Sequence, residues 1–228
     1  MSLGKSKAKF PRALRIALSG IGDIRYHYHE LLNIPEKEFS EHITQIAQVL
    51  SKNEILLTPS KGVCLEIAKK YKQFNGKKIY AVAPMDDKIF GIKHFKENLN
   101  IDVNGKKLFD ETLNTDTWYK QHFAFGLFGD VMLVLGASLG TFYELSSAFY
   151  VYKIISGNKP GLNVLKEKIH KDIVAGDRFP FTLIIYKPFI KQELPFELKE
   201  YIKKSGGQIF YANDAKELKD ILEKLENL

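Results

Sequence analysis

The amino-acid sequence predicts an α/β fold: a single Rossmann-like doubly wound domain, with a mainly parallel sheet of about six strands and helices on both faces. Three observations predict it. Six short runs rich in aliphatic and β-branched residues recur along the 228 residues, each followed by a turn and most by a helical pattern. Several of these runs are apolar almost without a break, as strands buried on both faces are. Small-residue turns follow the first and fourth runs, SGIGD at Ser19 to Asp23 and GASLGT at Gly136 to Thr141. In an open parallel sheet these two strands flank the point where the winding reverses and ligands bind.

In chain order, the first strand is ALRIALSG from Ala13. PEKEFSEHITQIAQVLSK then begins with Pro35 at a good first-turn position and puts Phe39, Ile43, Ile46 and Leu50 on one helical face. The second strand, EILLTP from Glu54, leads through the loop PSKGV into GVCLEIAKKYKQF. There Val63, Ile67, Ala68 and Tyr71 share a face, which makes Cys64 a core neighbour with no chemistry of its own. KIYAVAP from Lys78 is the third strand. From Phe90 to Asn114 the pattern lapses, and Asn104-Gly105 suits a tight hairpin turn, so residues 90–116 are expected to be an insertion. WYKQHFAFGLFG is expected to be a helix with an aromatic-rich face on the sheet, ahead of the fourth strand, VMLVLG from Val131. A second insertion, 158–180, contains Leu165, Ile169 and Ile173 at helical spacing. TLIIYK from Thr182 and QIFYAN from Gln208 are the last strands, and Leu218, Ile221, Leu222 and Leu225 mark a closing helix. The domain is therefore expected to run from 13 to 228, behind a basic tail of residues 1–12.

Composition bounds the partners. Hydrophobic residues make up 45% of the chain, enough for one sizeable core. A net charge of +7 favours anionic partners, although Lys5, Lys7, Lys9, Arg12 and Arg15 concentrate part of it in a segment that reads as a solvated tail. Cys64 is the one cysteine, so no intrachain disulfide and no cysteine metal site can form, and a cytoplasmic location is expected. Arg15 interrupts the first apolar stretch, so it does not read as a signal peptide, and Val131 to Tyr143 is too short to span a bilayer. No membrane association is expected.

Three loops can converge on one anion. Small residues at Ser19, Gly20 and Gly22, and at Gly136, Ala137, Ser138, Gly140 and Thr141, let backbone approach a ligand. The second of these turns opens a helix whose free N–H groups and positive dipole end favour phosphate, with Ser138 and Thr141 as hydroxyl donors. The loop after the second strand adds Ser60, Lys61 and Gly62 beside another helix start. Glu144 has two readings. Thr141-x-x-Glu144 matches a capping box, in which the glutamate bonds back to the helix start; it also puts a carboxylate beside a ligand. In RYHYHE, His27 and His29 alternate as metal ligands on an extended segment would, but no further ligand joins them, and no metal site is assigned. Stacking of its aromatic rings over a nucleobase suits the segment better.

GASLGTFYEL resembles the PGGxGTxxE motif of the LOG-like proteins, the former "lysine decarboxylase" family within the SLOG superfamily of Rossmann-like nucleotide-binding domains. Gly140, Thr141 and Glu144 match it, while Gly136, Ala137 and Ser138 stand in place of Pro-Gly-Gly. LRIALSGIG, ILLTPSKGVCLEIAKKY and KKIYAVAP are similar to the family's first three strands and their loops, so the likeness spans most of residues 13–157. The resemblance implies binding of a nucleotide or phosphorylated nucleoside at the 136–141 turn, no cofactor, and a homodimer. Members with the full motif are phosphoribohydrolases that cleave the N-glycosidic bond of nucleoside 5′-monophosphates. Glu144 would then stabilise the oxocarbenium-like state or activate water. The family's catalytic arginine lies on the helix before the fourth strand. That stretch here has no arginine, and Lys120 is its nearest cation; Arg25, after the first loop, is the other candidate. Lysine does not replace arginine at a planar, bidentate site, so the expected function is binding without robust catalysis. The hydrolase using Glu144 and Lys120 is the first alternative. A nucleic-acid-binding protein, as in the Smf/DprA relatives of the superfamily, is the second.

Overall fold

The computed structural model describes residues 13–156 and 181–227. The basic tail and the proposed helix around Leu165 lie outside the described residues. The main sheet has seven strands: β1 (Arg15–Ser19), β2 (Glu54–Leu57), β3 (Lys78–Ala83), β6 (Glu111–Asn114), β7 (Val131–Val134), β8 (Thr182–Tyr186) and β9 (Gln208–Ala212). Their order is β6-β3-β2-β1-β7-β8-β9, and every recorded pairing is parallel. Winding runs outward from β1 through β2 and β3, then reverses to β7, so the crevice outside the ends of β1 and β7 is the switch point.

Helices cover both faces, and strand alternation divides the core between them. Ile16 and Leu18 of β1 join a cluster with α1 (Glu36–Leu50), α2 (Val63–Gln73) and α7 (Ala215–Glu226). Ala17, between them, faces the opposite cluster with α4 (Trp118–Phe128), α5 (Leu139–Ser156) and α6 (Phe196–Lys204). The expected apolar faces form: Phe39, Ile43, Ile46 and Leu50 are buried in α1, and Val63, Ile67, Ala68 and Tyr71 in α2. Pro35 is the residue before α1 rather than its first residue. Its fixed φ and missing N–H suit that position equally.

The 90–116 stretch is more than an inserted hairpin. Short α3 (Lys93–Asn98) precedes the antiparallel pair β4 (Asp102–Val103) and β5 (Lys106–Lys107). Asn104 and Gly105 turn between them with φ of 53° and 74°, the pair of positive φ angles a type I′ turn needs. Glu111–Asn114 then extends the main sheet beside β3 as its seventh strand. Polar ETLN carries no strand signal, because an edge strand with exposed side chains needs none.

Candidate functional site

The three glycine-bearing loops meet at the switch point. The N–H of Val63 donates to the carbonyl of Ile21 (3.0 Å) and that of Leu135 to the carbonyl of Ser19 (2.8 Å), tying the loops after β1, β2 and β7 together. Gly20 lies against Val63, Cys64 and Leu135, and Gly136 against Ile21 and the Tyr28 hydroxyl, which itself donates to the Leu135 carbonyl. Gly62 stands at φ 130°, and a Cβ there would fall 2.3 Å from the Ile21 carbonyl oxygen; only glycine fits that conformation and that approach. Ser19 is buried, while Gly22, Lys61, Ala137 and Gly140 are exposed on the rim and Ser60 is partly so. The sequence-predicted residues Ser19, Gly20, Gly22, Ser60, Lys61, Gly62, Gly136, Ala137, Ser138, Gly140 and Thr141 are thus contributed by loops in mutual contact.

The start of α5 decides between the two readings of Glu144. The Ser138 hydroxyl accepts the Thr141 N–H (3.1 Å), and the Ser138 carbonyl accepts the Phe142 N–H (2.9 Å). Ser138 is therefore the cap, three residues earlier than the Thr141 capping box requires. Glu144 falls in the second turn, out of reach of a back-bond to the cap, and accepts instead a hydrogen bond from Ser19 Oγ at the end of β1. Its carboxyl is enclosed, and burial raises its pKa to about 7 against the opposing effect of the Ser19 hydrogen bond. Thr141 is 4% exposed, with its hydroxyl 3.1 Å from that of Ser138; both hydroxyls are engaged within the turn. Cys64 lies close enough to feel the Glu144 charge, and burial raises the pKa of its thiol, so it stays protonated.

Helix α4 forms the far wall. Lys120 is on its exposed side, paired with Asp116 (2.6 Å), so the structure does not bring it to Glu144. The next two residues turn inward. Gln121, 1% exposed, donates from Nε2 to Thr58 Oγ1 (2.6 Å), while its Oε1 is buried without a partner. His122, 6% exposed, stands edge-on to Tyr143 (4.5 Å) and Trp118 (5.4 Å), and neither ring nitrogen has a hydrogen-bond partner. Burial lowers its pKa, which keeps it neutral. Sequence reasoning missed both residues. The available signal was that Gln121 and His122, next to Lys120, are polar in a helix whose other residues are mostly apolar.

RYHYHE is neither an extended segment nor a set of rings free to stack on a base. Arg25–Leu31 is a π-helical turn in which His27 and Tyr28 are core residues. Tyr28 packs on Phe39 and Phe189, His27 approaches the Phe189 carbonyl, and His29 Nδ1 bonds the Ile34 carbonyl at 2.7 Å. The two histidines do not share a metal site, and Tyr28 cannot act as a lid; Tyr26 is the exposed aromatic of the segment. Arg25 is exposed and pairs with Glu30 (3.0 Å). Among the described residues no three His, Cys, Asp or Glu side chains gather as metal ligands, and no helix is long and apolar enough to cross a membrane.

No protein-family model matches the sequence, and neither does any curated protein. Solved structures share its fold. The protein TM1055 superposes with a TM-score of 0.55 at 10% identity, over 92% of this chain and 99% of its own. The molybdenum cofactor binding protein from the phototrophic bacterium Rippkaea orientalis gives 0.54 at 14%, over 95% of this chain and 99% of its own. The molybdenum cofactor carrier protein from Chlamydomonas reinhardtii gives 0.54 at 14%, over 95% and 100%. This bears out the doubly wound, Rossmann-like fold expected from the sequence. At such identities the likeness is one of fold.

Proposed function

We propose that this chain binds a nucleotide or phosphorylated nucleoside in the switch-point crevice, with phosphate on residues 136–141 at the start of α5. The carrying observation is the convergence of the loops after β1, β2 and β7 beside that helix start. The first N–H groups of a helix lack intrahelical partners and its dipole favours an anion there. Exposed Lys61 adds a cation on the rim. The molybdenum cofactor carriers of the same fold are named for binding rather than turnover, which agrees with a binding role. Thermal-shift measurements with nucleoside monophosphates test the reading. At a ligand concentration about a hundred times Kd, binding stabilises by about 2.7 kcal/mol and raises Tm by about 5–10 °C. No shift with any nucleotide at about 1 mM contradicts a tight-binding site.

The enclosed carboxyl of Glu144 favours a second reading, a phosphoribohydrolase in which it stabilises the oxocarbenium-like state or activates water. A carboxyl with a pKa of about 7 is poised for proton transfer near neutral pH. This reading requires free base to accumulate from a nucleoside 5′-monophosphate faster than with Glu144→Ala, at a rate rising with pH through about 7. Base release equal to that of the variant leaves binding alone.

The reading extends to a homodimer. Helices α4 and α5 are mostly apolar, and Tyr119, Leu139, Phe142, Tyr143 and Tyr150 are exposed on them. A second copy would bury this apolar surface.

A further inference from the structure

We infer that Gln121 and His122 form the specificity half of this site, receiving an uncharged, hydroxyl-bearing part of the ligand while its phosphate rests at the start of α5. The inference rests on the binding role proposed above and names the ligand chemistry that the far wall of the crevice selects.

Strand register brings the two halves together. Ala17 of β1 pairs with Leu56 of β2; two residues further on, the same register sets Ser19 beside Thr58. Both residues continue the alternation that directs Ala17 and Leu56 toward α4 and α5. Ser19 carries the hydrogen bond to Glu144 on α5, and Thr58 carries the one from Gln121 on α4. His122 closes the gap between the helices by its contact with Tyr143, the residue before Glu144. The ends of two adjacent strands and the N-terminal halves of two helices therefore hold one polar cluster.

That cluster is incompletely paired. Gln121 Oε1, His122 Nδ1 and His122 Nε2 are buried without partners, and each such atom is unfavourable relative to an apolar side chain of the same shape. Polar groups kept at that cost mark places where a ligand completes the hydrogen bonding. The chemistry of the unpaired atoms narrows the ligand. Gln121 Oε1 accepts, and a neutral imidazole has one donor and one acceptor. Among the described residues no lysine or arginine is recorded against Gln121 or His122, and Lys120, the nearest cation in sequence, is turned out to Asp116. A sugar hydroxyl both donates and accepts and carries no charge, so adjacent hydroxyls satisfy this set where a second phosphate or a carboxylate does not. The edges of Tyr143 and Trp118 flank the same space.

Calorimetric titration with inorganic phosphate, 2-deoxyribose 5-phosphate and ribose 5-phosphate tests this in the wild type, Gln121→Leu and His122→Phe. Both substitutions keep side-chain bulk and remove the unpaired atoms; Tm is expected to hold or rise in His122→Phe and to fall modestly in Gln121→Leu, which also loses the hydrogen bond to Thr58. The wild type is expected to bind ribose 5-phosphate at least tenfold tighter than inorganic phosphate, with the deoxy sugar between them. Each variant is expected to lose that preference to within about threefold while its affinity for inorganic phosphate is unchanged. Variants that fold and keep the sugar preference overturn the inference and leave phosphate binding standing. A wild type that prefers neither sugar phosphate overturns it too, whatever the variants do. A wild type that binds none of the three and no nucleotide overturns the binding role itself.

Discussion

Glu144 is the residue on which binding and catalysis divide. Sequence spacing offers it two roles, and the structure removes one by placing the cap at Ser138 and its carboxyl against Ser19. Its folded-state pKa of about 7 lies above the ordinary carboxylate value of 4.5. The folded protein therefore holds a proton that the unfolded chain has released between those values. Stability should fall as pH rises across that window, by an amount on the order of 2–3 kcal/mol. Glu144→Gln, which keeps an acceptor for Ser19 Oγ, is expected to flatten that part of the profile and to be the more stable protein at pH 8. Urea unfolding from pH 4.5 to 8 reads both effects, and identical profiles for the two proteins would contradict the burial assigned to this carboxyl. The contribution of Gln121 and His122 was not legible in the sequence. A polar pair within WYKQHFAFGLF looks like part of a solvated face until the strand ends show which way it turns.

At the scale of elements, what could be read depended on whether burial left a mark in composition. The six apolar-rich strands declare themselves by composition, and helices α1, α2 and α7 by periodicity. Glu111–Asn114 does not, since an edge strand is held by backbone hydrogen bonds to β3 and exposes most of its side chains. Arg25–Leu31 misleads in the other direction, because histidines and tyrosines that suggest a polar loop pack inward as a π-helical turn. Two substitutions test the loops that make the site. Gly62→Ala forces a side chain into φ 130° and onto the Ile21 carbonyl, and should destabilise by about 2–4 kcal/mol in denaturant unfolding. Ser138→Ala removes the cap of α5 and should cost about 1 kcal/mol. A Gly62→Ala protein as stable as the wild type would mean that the β1 and β2 loops do not meet as described.

The whole molecule sets two apolar layers against a parallel sheet and leaves a crevice where the winding reverses, a position legible from the small-residue turns after the first and fourth runs. The assembly is less legible, because aromatic residues on α4 and α5 look like core until exposure is known. If a second copy covers them, Tyr150→Lys, at a residue 62% exposed on α5, should shift the protein from dimer to monomer in sedimentation velocity without lowering Tm by more than about 2 °C. A wild type already monomeric would contradict the dimer. The central claim, a phosphorylated ligand at the switch point, is tested most directly by titrating adenosine 5′-monophosphate into isotope-labelled protein and following backbone amide resonances. The largest, saturable shifts are expected at residues 20–22, 61–63 and 137–141. Shifts confined to the opposite end of the strands, around Lys78 and Glu111, or none at millimolar nucleotide, would exclude that site.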